Sequence, residues 1–189
     1  MKFISFNHDN SEKFGIIENN LITDLTGKID GALSLKELIK IKKIKEAKEY
    51  AKSNPGSINP DEIKYSPLIP NPGKIICVGL NYSEHVKETN RTVEENPVIF
   101  HRFPESQTAH MQAIQRPTVS ESLDFEGEMA VVMDEGGKHI KPEDALKHIV
   151  GFSCYNESTI REWQRHTRQF GMGKNFEKTG SFGPHMVLA

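Results

Sequence analysis

Cysteine is scarce: Cys77 and Cys154 are the only two in 189 residues. They sit in the apolar stretches KIICVGL and GFSCYN, without the paired spacing of a zinc site or the density of a disulfide scaffold, so both are excluded and a reducing, cytoplasmic setting is expected. No uninterrupted apolar run approaches membrane-spanning length, and the opening MKFISFNHDNSE turns polar at Asn7, so the sequence predicts neither a transmembrane helix nor a signal peptide. An excess of one charge is lacking too. Lysine plus arginine (24) against aspartate plus glutamate (26) leaves −2, which offers no general attraction to nucleic acid or to an anionic bilayer. A small molecule is the expected partner, with no nucleic acid and no membrane.

With 36% hydrophobic and 26% charged residues, the chain can bury a core in one ordinary domain plus a small companion. Phe3 to Phe6, Gly15 to Ile17 and Leu21 to Leu25 read as short strands, the last two parted by the turn Glu18-Asn19-Asn20. SLKELIKIKKIKEAKEYAK then reads as one amphipathic helix, with Ser34 and Glu37 as a capping box. Its lysines alternate with Glu37, Glu46 and Glu49, which makes it a solvated face rather than a nucleic-acid surface. Prolines 55, 60, 67, 70 and 72 mark a linker, so a small β/α domain is expected over 1–70 and a second domain over 71–189. KIICVGL, PVIFHRF, LDFEGEMAVVM and HIVGFSCYN read as strands of that second domain.

In the strand predicted over Leu123 to Met133, Glu126 and Glu128 are two apart and leave on one face, while Phe125, Gly127 and Met129 leave on the other. Two carboxylates with β-carbons roughly 6–7 Å apart, if partly buried, raise one another's pKa or demand a cation between them. A solvent-facing edge pair is the bland alternative. Glu157, at the end of an apolar run, is either a third oxygen ligand at the sheet rim or an acid at a helix start capped by Asn156. Oxygen-only ligation suits magnesium, manganese or calcium rather than zinc. His85 and Glu88, three apart, could face the same way on a helical turn and work as an oriented base, or be a surface contact among eight histidines. Lys174, flanked by glycine, could meet an anion or be a solvated loop lysine; Arg161, Gln164 and Arg168 recur at helical spacing and could meet a carboxylate.

In their order, the segments KIICVGLNYSEHVKE, PVIFHRFPES, LDFEGEMAVVM, and GFSCYNESTIREWQ with GKNFEKTGSFGP resemble the fumarylacetoacetate hydrolase family from about Lys74 onward. The resemblance implies a mixed α+β protein, its small N-terminal β/α domain followed by a mixed β-roll catalytic domain. Similar proteins continue past an apolar stub like HMVLA into further strands, so the roll is expected to be partial. It implies Glu126, Glu128 and Glu157 as ligands of a divalent ion, usually magnesium or manganese and sometimes calcium. Glu157 stands where the family usually has aspartate. It implies His85, Glu88 and Lys174 as catalytic, and Arg102, Arg161 and Gln164 as substrate-binding, with Arg102 in place of the lysine common in F-x-K-P.

The activity implied is hydrolysis of a carbon–carbon bond in a small acylpyruvate or other β-diketo acid through a metal-bound enolate, in a homodimer, as is common in the family. Decarboxylation, isomerisation or a lyase step on 2-oxo or unsaturated dioates is the alternative on the same scaffold. A catalytically impaired binding or assembly subunit is the alternative from another class.

Overall fold

The computed structural model describes residues 1–84 and 95–189. Strands β1 (Lys2–His8), β2 (Ser11–Glu18), β3 (Leu21–Asp24) and β4 (Lys64–Tyr65) form a four-stranded sheet in the order β3-β2-β1-β4. Both hairpins turn through two residues with positive φ, Asp9-Asn10 at 52° and 58° and Asn19-Asn20 at 51° and 60°. That backbone suits the right-handed twist of paired strands, and asparagine and aspartate tolerate it better than most residues.

The helix expected after this sheet is two helices, α1 (Leu35–Lys40) and α2 (Ile44–Ser53). Lys42 between them has φ of 60°, a left-handed conformation no continuous helix accommodates. Ser34 Oγ accepts from Glu37 N at 3.2 Å as expected, whereas the Glu37 carboxylate accepts from Leu33 N, one residue earlier than a full capping box requires. Leu35, Leu38 and Ile39 of α1, with Ala47 and Ala51 of α2, face inward.

The remainder is built from β5 (Ile75–Gly79), β6 (Val98–Arg102), β7 (Gln107–Thr108), β8 (Leu123–Asp124), β9 (Gly127–Met133), β10 (Ile149–Glu157), β11 (Thr159–Ile160), β12 (Gly180–Phe182) and β13 (Val187–Leu188). Strand β10 is the axis: β9 pairs antiparallel along one edge, and β12 and β13 share the other. β12 passes the sheet on to β7 in parallel, while β5–β6 and β8–β11 are separate antiparallel pairs. The single strand expected over Leu123 to Met133 is therefore two, β8 pairing with β11 and β9 with β10. Phe125 and Glu126 occupy the break, where Glu126 O accepts from Glu157 N at 2.8 Å.

One buried cluster runs through both sheets: Phe3, Phe14, Ile16, Leu25, Leu35 and Leu38 pack with Val132, Tyr155, Phe182 and Met186. The backbone stitches them as well, with Phe3 and Met186 exchanging N–H···O bonds of 3.0 and 2.8 Å, and Leu68 N donating to Phe182 O at 3.2 Å. Met129, Val131 and Met133, on the other side of β9, are exposed, as are Phe125 in the break before it and Ile76, Val78 and Ile99 on β5 and β6. Among the described residues no helix is long and apolar enough to cross a membrane.

Candidate active site: a buried chain of alternating charges

Glu157 is the last residue of β10 and is buried, which settles its position as a strand end; the next helix is the single turn Arg161–Gln164. Lys174 closes a second single-turn helix, Gly171–Lys174. The two turns pack so closely that a β-carbon on Gly173 would lie 2.5 Å from Gln164 N and 2.6 Å from Ile160 O. Only glycine allows that approach, and it brings Lys174 under the sheet with 1% of its surface exposed.

There the Lys174 ammonium donates to Glu126 Oε2 and to Glu157 Oε2, both at 2.7 Å, with Nζ 5.0 Å from the centre of the Phe100 ring. Glu126 Oε1 accepts from Thr159 Oγ1 at 2.9 Å and pairs with Arg161 Nη1 at 2.6 Å. Arg161 Nε in turn donates to Asp124 at 2.7 Å, and its Nη1 donates to Gln164 Oε1 at 3.2 Å. At the other end Arg102 Nη1 donates to Glu157 Oε1 at 2.9 Å and to Ser158 O at 3.1 Å. Its Nη2 reaches Thr179 Oγ1 at 2.8 Å and its Nε reaches Ser106 Oγ at 3.2 Å. The result is an alternating series: Asp124, Arg161, Glu126, Lys174, Glu157, Arg102.

Five of the nine residues to which the resemblance assigns a role thus meet directly: Glu126, Glu157, Lys174, Arg102 and Arg161, with Gln164 attached through Arg161. Glu128 leaves β9 on the same side as Ala130 and Val132 and accepts a hydrogen bond from the Tyr82 hydroxyl instead of joining the other two glutamates; Glu126 lies in the break before that strand. His85 and Glu88 lie outside the described residues. Asp124, Thr159 and Thr179 complete the network and were not anticipated. The first two were within reach of the strand argument, since Asp124 is two residues before Glu126 and Thr159 two after Glu157. Thr179 sits in a glycine-rich segment whose sequence has no periodicity to reveal it.

Burial opposes the charge on both glutamates, with different results. At Glu126 the Lys174 ammonium, then Arg161 and Thr159, outweigh it and hold the carboxyl below its usual range. At Glu157 burial prevails over Lys174 and Arg102 and leaves the carboxyl above its usual range. The two share one ammonium, so the pair takes its first proton chiefly on Glu157. Burial also pushes the Cys77 thiol and the Tyr155 phenol up to about 12, so both stay neutral at ordinary pH and Cys77 is no thiolate nucleophile.

The donor chemistry of Glu126, Glu128 and Glu157, carboxylates only, fits a hard divalent ion. The packing places an ammonium between two of them instead, and among the described residues no three histidine, cysteine, aspartate or glutamate side chains stand close enough together to hold an ion.

Residues 74–189 match the fumarylacetoacetate (FAA) hydrolase C-terminal family. The Xenopus laevis protein named oxaloacetate tautomerase fahd2, mitochondrial, is 36% identical over 146 residues, covering 76% of this chain and 46% of its own length. The solved fumarylacetoacetate hydrolase of the psychrophile Exiguobacterium antarcticum superposes with a TM-score of 0.84 at 29% identity, over 100% of this chain and 66% of that one. The maleylpyruvate hydrolase of Sphingobium sp. SYK-6, solved with manganese(II) and pyruvate, shares the fold at a TM-score of 0.80 and 18% identity, over 100% of this chain and 67% of that one. The chain therefore spans under half the length of the tautomerase and about two thirds of the solved relatives. With the mixed α+β fold, the order of its motifs and the family match over its larger part all in agreement, the chain belongs to the fumarylacetoacetate hydrolase family.

Proposed function

We propose that the chain binds a small 2-oxo acid together with magnesium or manganese and draws out its enol or enolate. Keto–enol interconversion of an oxaloacetate-like diacid is the reaction to test first. The observation that carries this reading is the Lys174 ammonium, buried and 2.7 Å from both Glu126 and Glu157, with Arg161 beside it. A protonated amine held in a dry, charge-balanced setting is suited to stabilise and protonate an oxygen on which negative charge collects. The similarity to a protein named for oxaloacetate tautomerisation favours that substrate class.

Glu126, Glu157 and Glu128 are the residues that would hold a dication, which would have to draw them together in place of the Lys174 ammonium and would supply a Lewis acid for the oxo group. Every other task falls to the chain itself. Arg161, braced by Asp124 and Gln164, steadies the substrate carboxylate. Arg102, whose three nitrogens all donate to protein oxygens, positions Glu157. His85, oriented by Glu88, takes the proton from the carbon beside the oxo group, and Lys174 Nζ delivers one to the oxygen, which completes the tautomeric exchange. Carbon–carbon hydrolysis of an acylpyruvate is the second reading, favoured by the 29% identity to a fumarylacetoacetate hydrolase over the whole chain. There the same histidine would activate water.

Ultraviolet absorbance of the enol tests both. Wild type with manganese should accelerate ketonisation of oxaloacetate, and Lys174→Met and Glu126→Gln should each lower kcat by on the order of 100-fold or more. A folded wild type that accelerates neither this reaction nor acylpyruvate cleavage would refute the proposal.

A further inference from the structure

The two cations that hold Glu157 come from different elements. Arg102, at the end of β6, takes Oε1 at 2.9 Å, and Lys174, at the end of the single turn Gly171–Lys174, takes Oε2 at 2.7 Å. So short a helix has no stability of its own, because the first turn fixes several residues for very few hydrogen bonds. Gly173 lets the turn come close to its neighbour; Asn175 fixes it against β6. Asn175 Nδ2 donates to His101 O at 3.0 Å and Asn175 Oδ1 accepts from Phe103 N at 2.7 Å, the two backbone groups on either side of Arg102. A residue of a parallel neighbouring strand would make the same two bonds, and among the described residues β6 has only β5 as a strand neighbour. The same Nδ2 donates to Gly171 O at 3.1 Å and closes the turn that carries Lys174. All three bonds go to main-chain atoms, so one amide ties the backbone that bears Arg102 to the backbone that bears Lys174.

We infer that Asn175 is a positioning residue for Lys174: its amide sets the separation of Arg102 and Lys174, and so keeps Lys174 Nζ between Glu126 and Glu157. For its chemical consequence this rests on the reading of Lys174 as proton donor given above, and adds what holds the donor in place. Alanine at this position leaves His101 O and Phe103 N without their partner. Aspartate, of nearly the same size, keeps an acceptor for Phe103 N but turns a carboxylate oxygen, in place of a donor, toward the carbonyls of His101 and Gly171. The two substitutions therefore separate the hydrogen bonds from the volume the side chain fills.

The test begins on the full chain without substrate, with lysine isotopically labelled at its side-chain nitrogen. An ammonium gives a proton–nitrogen resonance near neutral pH only where exchange with water is slow, as for the buried, ion-paired Lys174. Wild type is expected to show a resonance that Lys174→Met removes, and Asn175→Ala and Asn175→Asp are expected to lose it while far-UV circular dichroism shows them folded. In the oxaloacetate assay both should lower kcat by about tenfold or more and change KM by less than about threefold, because Asn175 displaces the donor without touching substrate. Met186→Ala, which weakens the core away from these turns, should keep the resonance and the wild-type kcat at temperatures where it is folded. Persistence of the resonance or of wild-type kcat in a folded Asn175 variant overturns the inference, as does a loss carried by KM alone or a wild type with no resonance that depends on Lys174. A folded wild type that does not turn over oxaloacetate removes the proposed reaction instead, and the resonance still decides whether Asn175 places the lysine.

Discussion

Arg102 donates from all three of its nitrogens while fully buried, and its guanidinium is the partner of Glu157 Oε1. Arg102→Met therefore removes a positive charge and leaves a buried carboxylate short of a partner, a change that costs about 3–5 kcal/mol. Urea unfolding should show that loss. Arg102→Lys should recover only part of it, because an ammonium keeps the charge but cannot reach Glu157, Ser158, Ser106 and Thr179 from one point. A milder pair sits in the first sheet, where Lys13 Nζ lies 2.9 Å from Asp24. Burial opposes the Asp24 charge, but Lys13 and Thr26 outweigh it and hold the carboxyl below its ordinary value of 3.8. Asp24 then binds protons less readily folded than unfolded, so its contribution is full above that value and fades as pH falls through the lower, folded one. The stability difference between wild type and Asp24→Asn should be about 0.5–1 kcal/mol near neutrality and should close on acidification below about pH 4, as measured by unfolding across pH. At this scale the sequence revealed charge and side-chain type but not partners. Glu126, Glu157, Lys174 and Arg161 could be selected as a set, yet that Lys174 would bridge two glutamates depends on the packing of two single-turn helices, the second of which places Lys174 17 residues beyond Glu157 in sequence.

Those turns show what elements add. The glycine at 173 is legible only as one of several in GMGKNFEKTGSFG, whereas its neighbours in space, Gln164 N and Ile160 O, make it obligatory. Both contacts are backbone atoms that cannot step aside. Gly173→Ala should cost about 1–3 kcal/mol by forcing the two turns apart. It should also reduce turnover more than far-UV circular dichroism would suggest, since the turn that shifts ends in Lys174. Unchanged stability and rate would show that the contact relaxes freely. Elsewhere the periodic segments were read at the right places but with wrong continuity. Leucine and isoleucine spacing located the helical region, but nothing in a 3.6-residue pattern foretells a left-handed Lys42. Alternation located strands on either side of the E-x-E segment, but not the break at Phe125-Glu126, which takes Glu126 out of the strand and arises because β8 and β9 pair with different partners.

For the molecule as a whole, the proline-rich stretch directs attention to two parts, while the buried cluster treats them as one. Phe3, Phe14 and Leu25 touch the same apolar interior as Val132, Phe182 and Met186, and that sharing is invisible to any local pattern because the residues are more than a hundred positions apart. A shared core couples the unfolding of the parts it joins. Met186 couples the two parts directly, being fully buried and bonded through its backbone to Phe3 in both directions. Met186→Ala should cost about 2–5 kcal/mol. Trp163, the only tryptophan, reports by fluorescence on the neighbourhood of the charged site, and far-UV circular dichroism reports on both sheets together. In wild type the two probes should follow one transition, and in Met186→Ala both should move to lower temperature by the same amount. A variant in which the circular dichroism transition splits while tryptophan fluorescence keeps its wild-type midpoint would mean that the first sheet melts alone, and that the continuous core does not bind it to the part that carries the chemistry.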